Sequence, residues 1–265
     1  MKLFFSKYEG TGNDFVIIDN RTDFFNKDEK VIRFLCDRKF GIGADGLILL
    51  SEEEGFDFRM TYFNADGKEG SMCGNGGRCI TAFAYSLGLT GKQVRFIAYD
   101  GEHTARVLEK KENVYMIEIK MNNVSNIDIN QGFILLDTGS PHYVRFVDDI
   151  ESMNVNNEGS KIRYSPKFKE KGMNVNFVKQ SKKILFVRTY ERGVENETLS
   201  CGTGIIASAL AASISGEKSI KQHLVRTRGG DLKVQFKRNT NLSFSDIKLT
   251  GPATFVYKGE ISINN

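Results

Sequence analysis

A cysteine followed at once by Gly-x-Gly occurs twice in this chain, as Cys73-Gly74-Asn75-Gly76 and as Cys201-Gly202-Thr203-Gly204. Each copy follows an expected strand and polar loop, Phe58 to Ser71 and Ile184 to Ser200. Each opens an apolar, nearly uncharged run, Ile80 to Tyr85 and Ile205 to Ala212, that reads as a buried helix. A helix start leaves backbone N–H groups without intrahelical partners and carries a partial positive charge. A cysteine there ionises more easily, and glycines beside it let an anion approach the backbone. Each copy therefore offers one activated thiol next to one carboxylate-binding site.

Other landmarks repeat at the same spacing, about half the chain. Thr11-Gly12-Asn13-Asp14-Phe15-Val16-Ile17 returns as Thr138-Gly139-Ser140-Pro141-His142-Tyr143-Val144. Phe58-Arg59-Met60-Thr61-Tyr62-Phe63 returns as Phe186-Val187-Arg188-Thr189-Tyr190-Glu191. After each helix come two strand-like runs around a glycine turn, Val94 to Val107 and Leu224 to Phe236. This is the mark of a duplication. The remaining pattern is mostly β, with runs such as Leu47 to Leu50, Tyr115 to Ile119, Asn176 to Val178 and Leu242 to Leu249. A helix is expected at Lys27 to Asp37, capped by Asn26, with Glu29 closing a capping box and Val31, Phe34 and Leu35 on its apolar face. The expected boundary is the polar stretch Met121 to Asn130. It separates a lobe over 1–120 carrying Cys73 from a lobe over 121–265 carrying Cys201. The final strand, about 253–265, is free to pack back on the first lobe. The fold class is α+β: two pseudo-symmetric lobes, each a mostly antiparallel β-roll or barrel wrapped around a central helix.

Composition narrows the partners. Charged residues make up 26% and net charge is only +4, with Lys and Arg dispersed, so no nucleic-acid footprint is present. No run approaches a membrane span, and the N-terminal apolar run is too short for a signal peptide. Four cysteines without a dense framework point to a reducing compartment, the cytoplasm. No Cys/His pair has zinc-ligand spacing, and no lysine sits in a pattern that demands pyridoxal phosphate, so neither metal nor cofactor is expected. Two thiols facing one anion suit removal of an amino-acid α-proton and its return to the opposite face. One thiol must then be ionised and the other protonated.

The chain resembles the diaminopimelate epimerase family along essentially its whole length. The residues that carry this are Gly12-Asn13-Asp14-Phe15, Arg38 to Gly46, Phe63-Asn64-Ala65-Asp66-Gly67, Cys73 to Cys79, Gly139-Ser140-Pro141-His142, Asn174-Val175-Asn176-Phe177, Tyr190-Glu191-Arg192-Gly193 and Cys201 to Gly204. The resemblance implies reversible conversion of LL- to meso-diaminopimelate, in the cleft between two lobes, with Cys201 taking the proton from the LL substrate and Cys73 giving one back. It implies that the backbone at Gly74-Asn75 and Gly202-Thr203 holds the reacting carboxylate. Asn13, Asn64, Asn174, Glu191 and Arg192 would contact the substrate, and His142 and Glu191 would tune the cysteines. It further implies the homodimer of some members, through the position matching Tyr257. Two positions depart from the pattern: Ser140 stands where many members have Asn, and Gly46 where some have Gln.

Blander readings compete at every position. A cysteine is more often a small buried hydrophobe than a nucleophile; that reading suits Cys36 and Cys79, whereas the paired Gly-x-Gly contexts set Cys73 and Cys201 apart. His103 and His223 read as ordinary strand or surface residues. Asn13, Asn64 and Asn174 taken singly are typical turn formers. Three other activities stay open: a proline, hydroxyproline or histidine racemase of the same fold, a thiol hydrolase using Cys73 with His142, and a non-catalytic amino-acid binder.

Overall fold

A computed structural model describes residues 2–70, 72–182, 184–216, 220–240 and 242–263. Ser71 in the first expected loop and positions 264–265 of the expected last strand lie outside them. The chain divides into two units, Met1–Ile119 with Gly251–Asn265, and Lys120–Thr250.

In the first unit the strands are β1 (Lys2–Gly10), β2 (Asn13–Asp19), β3 (Gly46–Ser51), β4 (Phe58–Asn64), β5 (Gln93–Ala98), β6 (Gly101–Lys111) and β7 (Val114–Met121). Helix α1 (Glu29–Cys36) links β2 to β3 and α2 (Gly74–Ser86) links β4 to β5. Both linked pairs are parallel, because a helical crossover returns the chain to the same end of the sheet. The other neighbours are antiparallel.

In the second unit the strands are β8 (Ile127–Asn130), β9 (Phe133–Asp137), β10 (Pro141–Phe146), β11 (Asn174–Ser181), β12 (Ile184–Glu191), β13 (Asn196–Thr198), β14 (Gln222–Thr227) and β15 (Gly230–Arg238). Helix α3 (Val155–Arg163) links β10 to β11 and α4 (Gly202–Ser215) links β12 to β14. Again those two pairs are parallel and the rest antiparallel. The order β9-β10-β11-β12-β14-β15 thus repeats β1-β2-β3-β4-β5-β6, helices included. The last strand, β16 (Phe244–Ser262), starts two residues later than the sequence pattern suggests, because Leu242 stands at φ 56°. Its first part pairs with β15 and its later part with β1. Since β7 also adjoins β16, the ring of strands in the first unit closes on itself.

A cysteine helix packs against the strands of each unit. All residues of α2 from Gly74 to Ala84 are buried, and α4 is buried from Gly204 to Ser213. Ile205, Ile206 and Leu210 join Val144, Val187, Val225, Val234 and Leu249 in one cluster, each large side chain contributing about 1.5–3 kcal/mol. Both expected buried helices are found, α4 almost wholly apolar and α2 with Asn75, Arg78 and Thr81 buried among its apolar residues. Among the described residues no helix is long and apolar enough to cross a membrane.

Two local expectations need correction. Helix α1 is capped by Asp28, not Asn26: its carboxylate accepts from the N–H groups of Lys30 and Val31 at 2.7 and 3.2 Å. A charged acceptor this close satisfies two end amides and meets the helix dipole as well. The buried face is Ile32, Leu35 and Cys36, with Val31 partly covered, while Phe34 is exposed. Moreover, His103 and His223 lie on strands but inside, 7% and 1% exposed.

The first unit also holds a charged cluster. Lys7 is buried, donates to the carbonyl of Gly43 and pairs with Asp14 at 2.8 Å. Arg38 grips both Asp14 carboxylate oxygens, at 3.0 and 2.7 Å, and reaches Asp45 at 2.7 Å. Burial pushes the Asp14 carboxyl up, but the hydrogen bonds from Arg38 and Lys7 outweigh it and hold the group well below the usual carboxylate range. Removing one partner leaves Lys7 buried beside no full countercharge, so Asp14→Asn should cost about 3–5 kcal/mol in urea unfolding. The exposed pair Lys2–Glu260 should behave otherwise, with Glu260→Gln costing under about 1 kcal/mol.

Candidate active site

Cys73 and Cys201 are the N-cap residues of α2 and α4, in extended conformation, at φ −98° and −116°. Neither side chain caps its own helix, and neither helix has an acidic residue in its first turn. The contrast with α1 and α3 is direct. Those helices carry side-chain caps, Asp28 and Asn154, and first-turn acids, Glu29 and Glu158. No carboxylate of their own first turns meets the positive ends of α2 and α4. Gly76 and Gly204 let each helix sink inward. A Cβ on Gly76 would stand 3.0 Å from the Ile48 side chain, and one on Gly204 would stand 2.3 Å from Oδ1 of Asn176.

In the first unit a tight hairpin presents Asn13. Thr11 and Gly12 both take positive φ, 56° and 85°, the two-residue turn that suits the twist of paired strands. Asn13 then donates from Nδ2 to Sγ of Cys73 at 3.7 Å. The structure therefore sets this expected substrate ligand on the thiol itself. Behind them lies Arg78, fully buried, whose guanidinium donates to Pro252 O, Gly74 O and Thr11 Oγ1 at 3.0, 3.3 and 3.2 Å. It ties the hairpin tip to the helix start. Asn64, by contrast, accepts from the Tyr62 hydroxyl at 3.0 Å and is the exposed last residue of β4. Cys36 and Cys79 are packed in the core, where burial pushes the Cys36 thiol up to about 12 and raises that of Cys79 as well.

In the second unit the matching hairpin, between β9 and β10, brings Thr138, Ser140 and His142 to α4. The Thr138 hydroxyl donates to the carbonyl of Thr203 at 2.9 Å. Ser140 Oγ lies 3.1 Å from His142 Nε2 and 3.2 Å from Thr203 Oγ1, which in turn lies 3.6 Å from Cys201 Sγ. Asn174 accepts from the Arg192 N–H at 2.9 Å and donates to Ser140 Oγ at 3.0 Å. Asn176 donates to His142 Nδ1 at 3.0 Å and to Tyr143 O at 3.1 Å, and accepts from the Thr189 hydroxyl at 2.9 Å. Glu191 accepts from Thr198 at 2.9 Å, and the exposed Arg192 donates to Lys171 O at 3.1 Å. Six sequence candidates, His142, Asn174, Glu191, Arg192, Thr203 and Cys201, thus occupy one neighbourhood of this unit. Sequence reading missed Asn176 and Arg78. The signal for Asn176 was its alternation with Asn174 on one strand, which puts both on one face.

Burial, and then the charge of Arg192, push the His142 imidazole down to about 3. Burial also lowers His223, whose ring nitrogens have no hydrogen-bond partner among the described residues.

Solved structures share this fold. One is the Bacillus anthracis phenazine biosynthesis protein of the PhzF family, with TM-score 0.78, 14% identity and coverage of 99% of this chain and 100% of that one. Another is a hydroxyproline epimerase from Agrobacterium vitis with bound trans-4-OH-L-proline, with TM-score 0.71, 13% identity and coverage of 100% and 93%. The architecture is therefore that of the α+β proteins that include PhzF and hydroxyproline epimerase. Within it, the chain belongs to the diaminopimelate epimerase family, whose profile matches residues 5–125 and 134–256. It is 47% identical over 263 residues to the diaminopimelate epimerase of Flavobacterium psychrophilum, covering 98% of this chain and 100% of that one. It is 40% identical over 265 residues to that of Chlorobaculum tepidum, covering 96% and 99%.

The buried histidines make stability depend on pH. An unfolded histidine takes up a proton near its ordinary 6.5, whereas folded His142 stays neutral until about 3. Its contribution is complete above 6.5 and is lost progressively as pH falls below that value. His223 acts in the same direction. Urea unfolding should show stability falling by about 1.4 kcal/mol per pH unit for a site of this kind well below its unfolded pKa. His223→Leu should make that slope shallower; an unchanged slope would exclude His223 as a contributor.

Proposed function

We propose that this protein is a diaminopimelate epimerase that inverts an amino-acid α-carbon with two cysteine bases and no cofactor. The observation that carries this reading is the pair of cysteines at the N-caps of two helices with no first-turn carboxylate, in a chain of this family. The backbone at Gly74-Asn75 and Gly202-Thr203 binds the reacting α-carboxylate, and the helix starts stabilise the charge that builds as the α-proton leaves. Cys201 as thiolate takes that proton from the LL substrate; Cys73 as thiol delivers another to the opposite face. The roles exchange in the meso-to-LL direction. Asn13 orients Cys73, while His142 and Glu191 tune Cys201. Asn64, Asn174, Glu191 and Arg192 recognise the distal amino-acid end, with Arg192 as the fork for its carboxylate. The same reading places the enzyme in the cytoplasm as a homodimer through the face that carries the half-exposed Tyr257.

The test is proton NMR of the reduced protein with LL-diaminopimelate in D₂O. Loss of the α-proton signal with appearance of the meso isomer is expected. Exchange confined to proline, hydroxyproline or histidine would keep the two thiols and move the substrate. No exchange with any amino acid would reject the reading. Cys73→Ala and Cys201→Ala should each lower turnover by roughly 100- to 10,000-fold, the usual contribution of a positioned base, with near-UV circular dichroism unchanged. Near-normal turnover by either variant would refute the two-base mechanism.

A further inference from the structure

The hydrogen bonds around His142 have a direction that follows from the groups at their ends. Asn176 Nδ2 faces the carbonyl oxygen of Tyr143, which can only accept. A flipped Asn176 amide would set two oxygens against each other there, so Nδ2 is a donor, and it also donates to His142 Nδ1. Nδ1 therefore carries no hydrogen, and the neutral ring carries its proton on Nε2. Asn174 is fixed by the same logic. Its Oδ1 accepts from the Arg192 N–H, so its Nδ2 donates to Ser140 Oγ. Ser140 Oγ consequently accepts from both His142 Nε2–H and Asn174 Nδ2. Both of its lone pairs are used, and the hydroxyl hydrogen has Thr203 Oγ1 in reach. Thr203 Oγ1 receives that bond and turns its own hydrogen toward Cys201 Sγ.

We infer that Ser140 and Thr203 form a one-way hydrogen-bond relay from His142 to Cys201, which ends in a hydroxyl donated to Sγ and so holds this cysteine as the acceptor, the thiolate. Both are positioning residues, acting through Cys201. The relay orients groups and moves no proton along itself: Nε2–H, Ser140 O–H and Thr203 O–H each keep their hydrogen. A hydroxyl suits both positions because one atom accepts and donates at once. The rigid anchors are two amides, each held by backbone, so the direction cannot reverse unless a strand moves. A hydroxyl donated to sulfur favours the charged form over the neutral thiol, and it does so at Cys201 through a donor different from the Asn13 amide at Cys73. The inference rests on the proposed two-base reaction for its meaning in turnover, since it makes Cys201 the resting base, but not for its first test.

That test is alkylation of the reduced, substrate-free protein by iodoacetamide at fixed neutral pH, with each cysteine followed by mass spectrometry. Thr203→Val keeps shape and removes the donor; Ser140→Ala cuts the relay one step earlier. Each should slow alkylation of Cys201 roughly tenfold and leave Cys73 unchanged. Thr203→Ser and Ser140→Thr restore the hydroxyl and should restore the rate. In turnover the deletion variants should lose kcat more than KM. Equal Cys201 rates in wild type and in both deletion variants would overturn the relay. So would equal slowing at Cys73, or slowing that the hydroxyl variants fail to restore. If wild type exchanges no α-proton while the alkylation pattern holds, the epimerase reading fails and the relay stands.

Discussion

Burying a helix on every side forces a choice about where its polar ends go. Most side chains of α2 and α4 meet apolar strand faces, Arg78 and Thr203 excepted, and interior amides of such helices bond within the helix. The unmet polar groups therefore concentrate at the ends, above all in the first turn. In α1 and α3 a side chain and a first-turn acid answer that need. In α2 and α4 the cap is a cysteine, whose side chain makes no cap hydrogen bond. On the proposed reading, a substrate carboxylate meets that need instead. Stability and chemistry are then linked at the same few backbone groups.

The two halves have solved the orientation of their thiols differently. Topology is shared to the level of individual parallel pairs, yet Asn13 reaches Cys73 by one direct amide bond. The second half uses a histidine, two hydroxyls and two asparagines to reach Cys201. An amide can donate to sulfur whichever protonation state it holds. On the inferred relay, the hydroxyls carry to the sulfur an orientation set by the ring and two amides. Duplication supplied equivalent positions; the chemistry there diverged.

Much of this was legible in the chain. Repeated Cys-Gly-x-Gly motifs before uncharged apolar runs specify buried helices with cysteines at their starts, since no other placement of such runs is cheap. The repeated landmarks announced two halves built alike, but not the strand order or the parallel pairs across each helix, which depend on pairings far apart in the chain. The details that failed depend on competition between neighbours. Asn26 and Asp28 both suit an N-cap, and only the path of the chain decides. His103 and His223 read as ordinary strand or surface residues; they lie on strands, but facing inward, and nothing local announces that Phe96 and Phe236 stack on them. Asn176 and Arg78 were passed over since their partners, Tyr143 and Thr189 or Thr11 and Pro252, lie far along the chain.

The last strand has a consequence for the order in which the molecule is made. The second unit draws its elements from one continuous stretch, Lys120–Thr250, whereas the first needs Gly251 onward to close its ring. A chain leaving the ribosome presents β1 to β7 early and then holds an open edge while every residue of the other unit emerges. The half that is synthesised second is thus the first that can be complete. During that interval β1 offers unpaired backbone along Lys2 to Glu9, the register that β16 later fills.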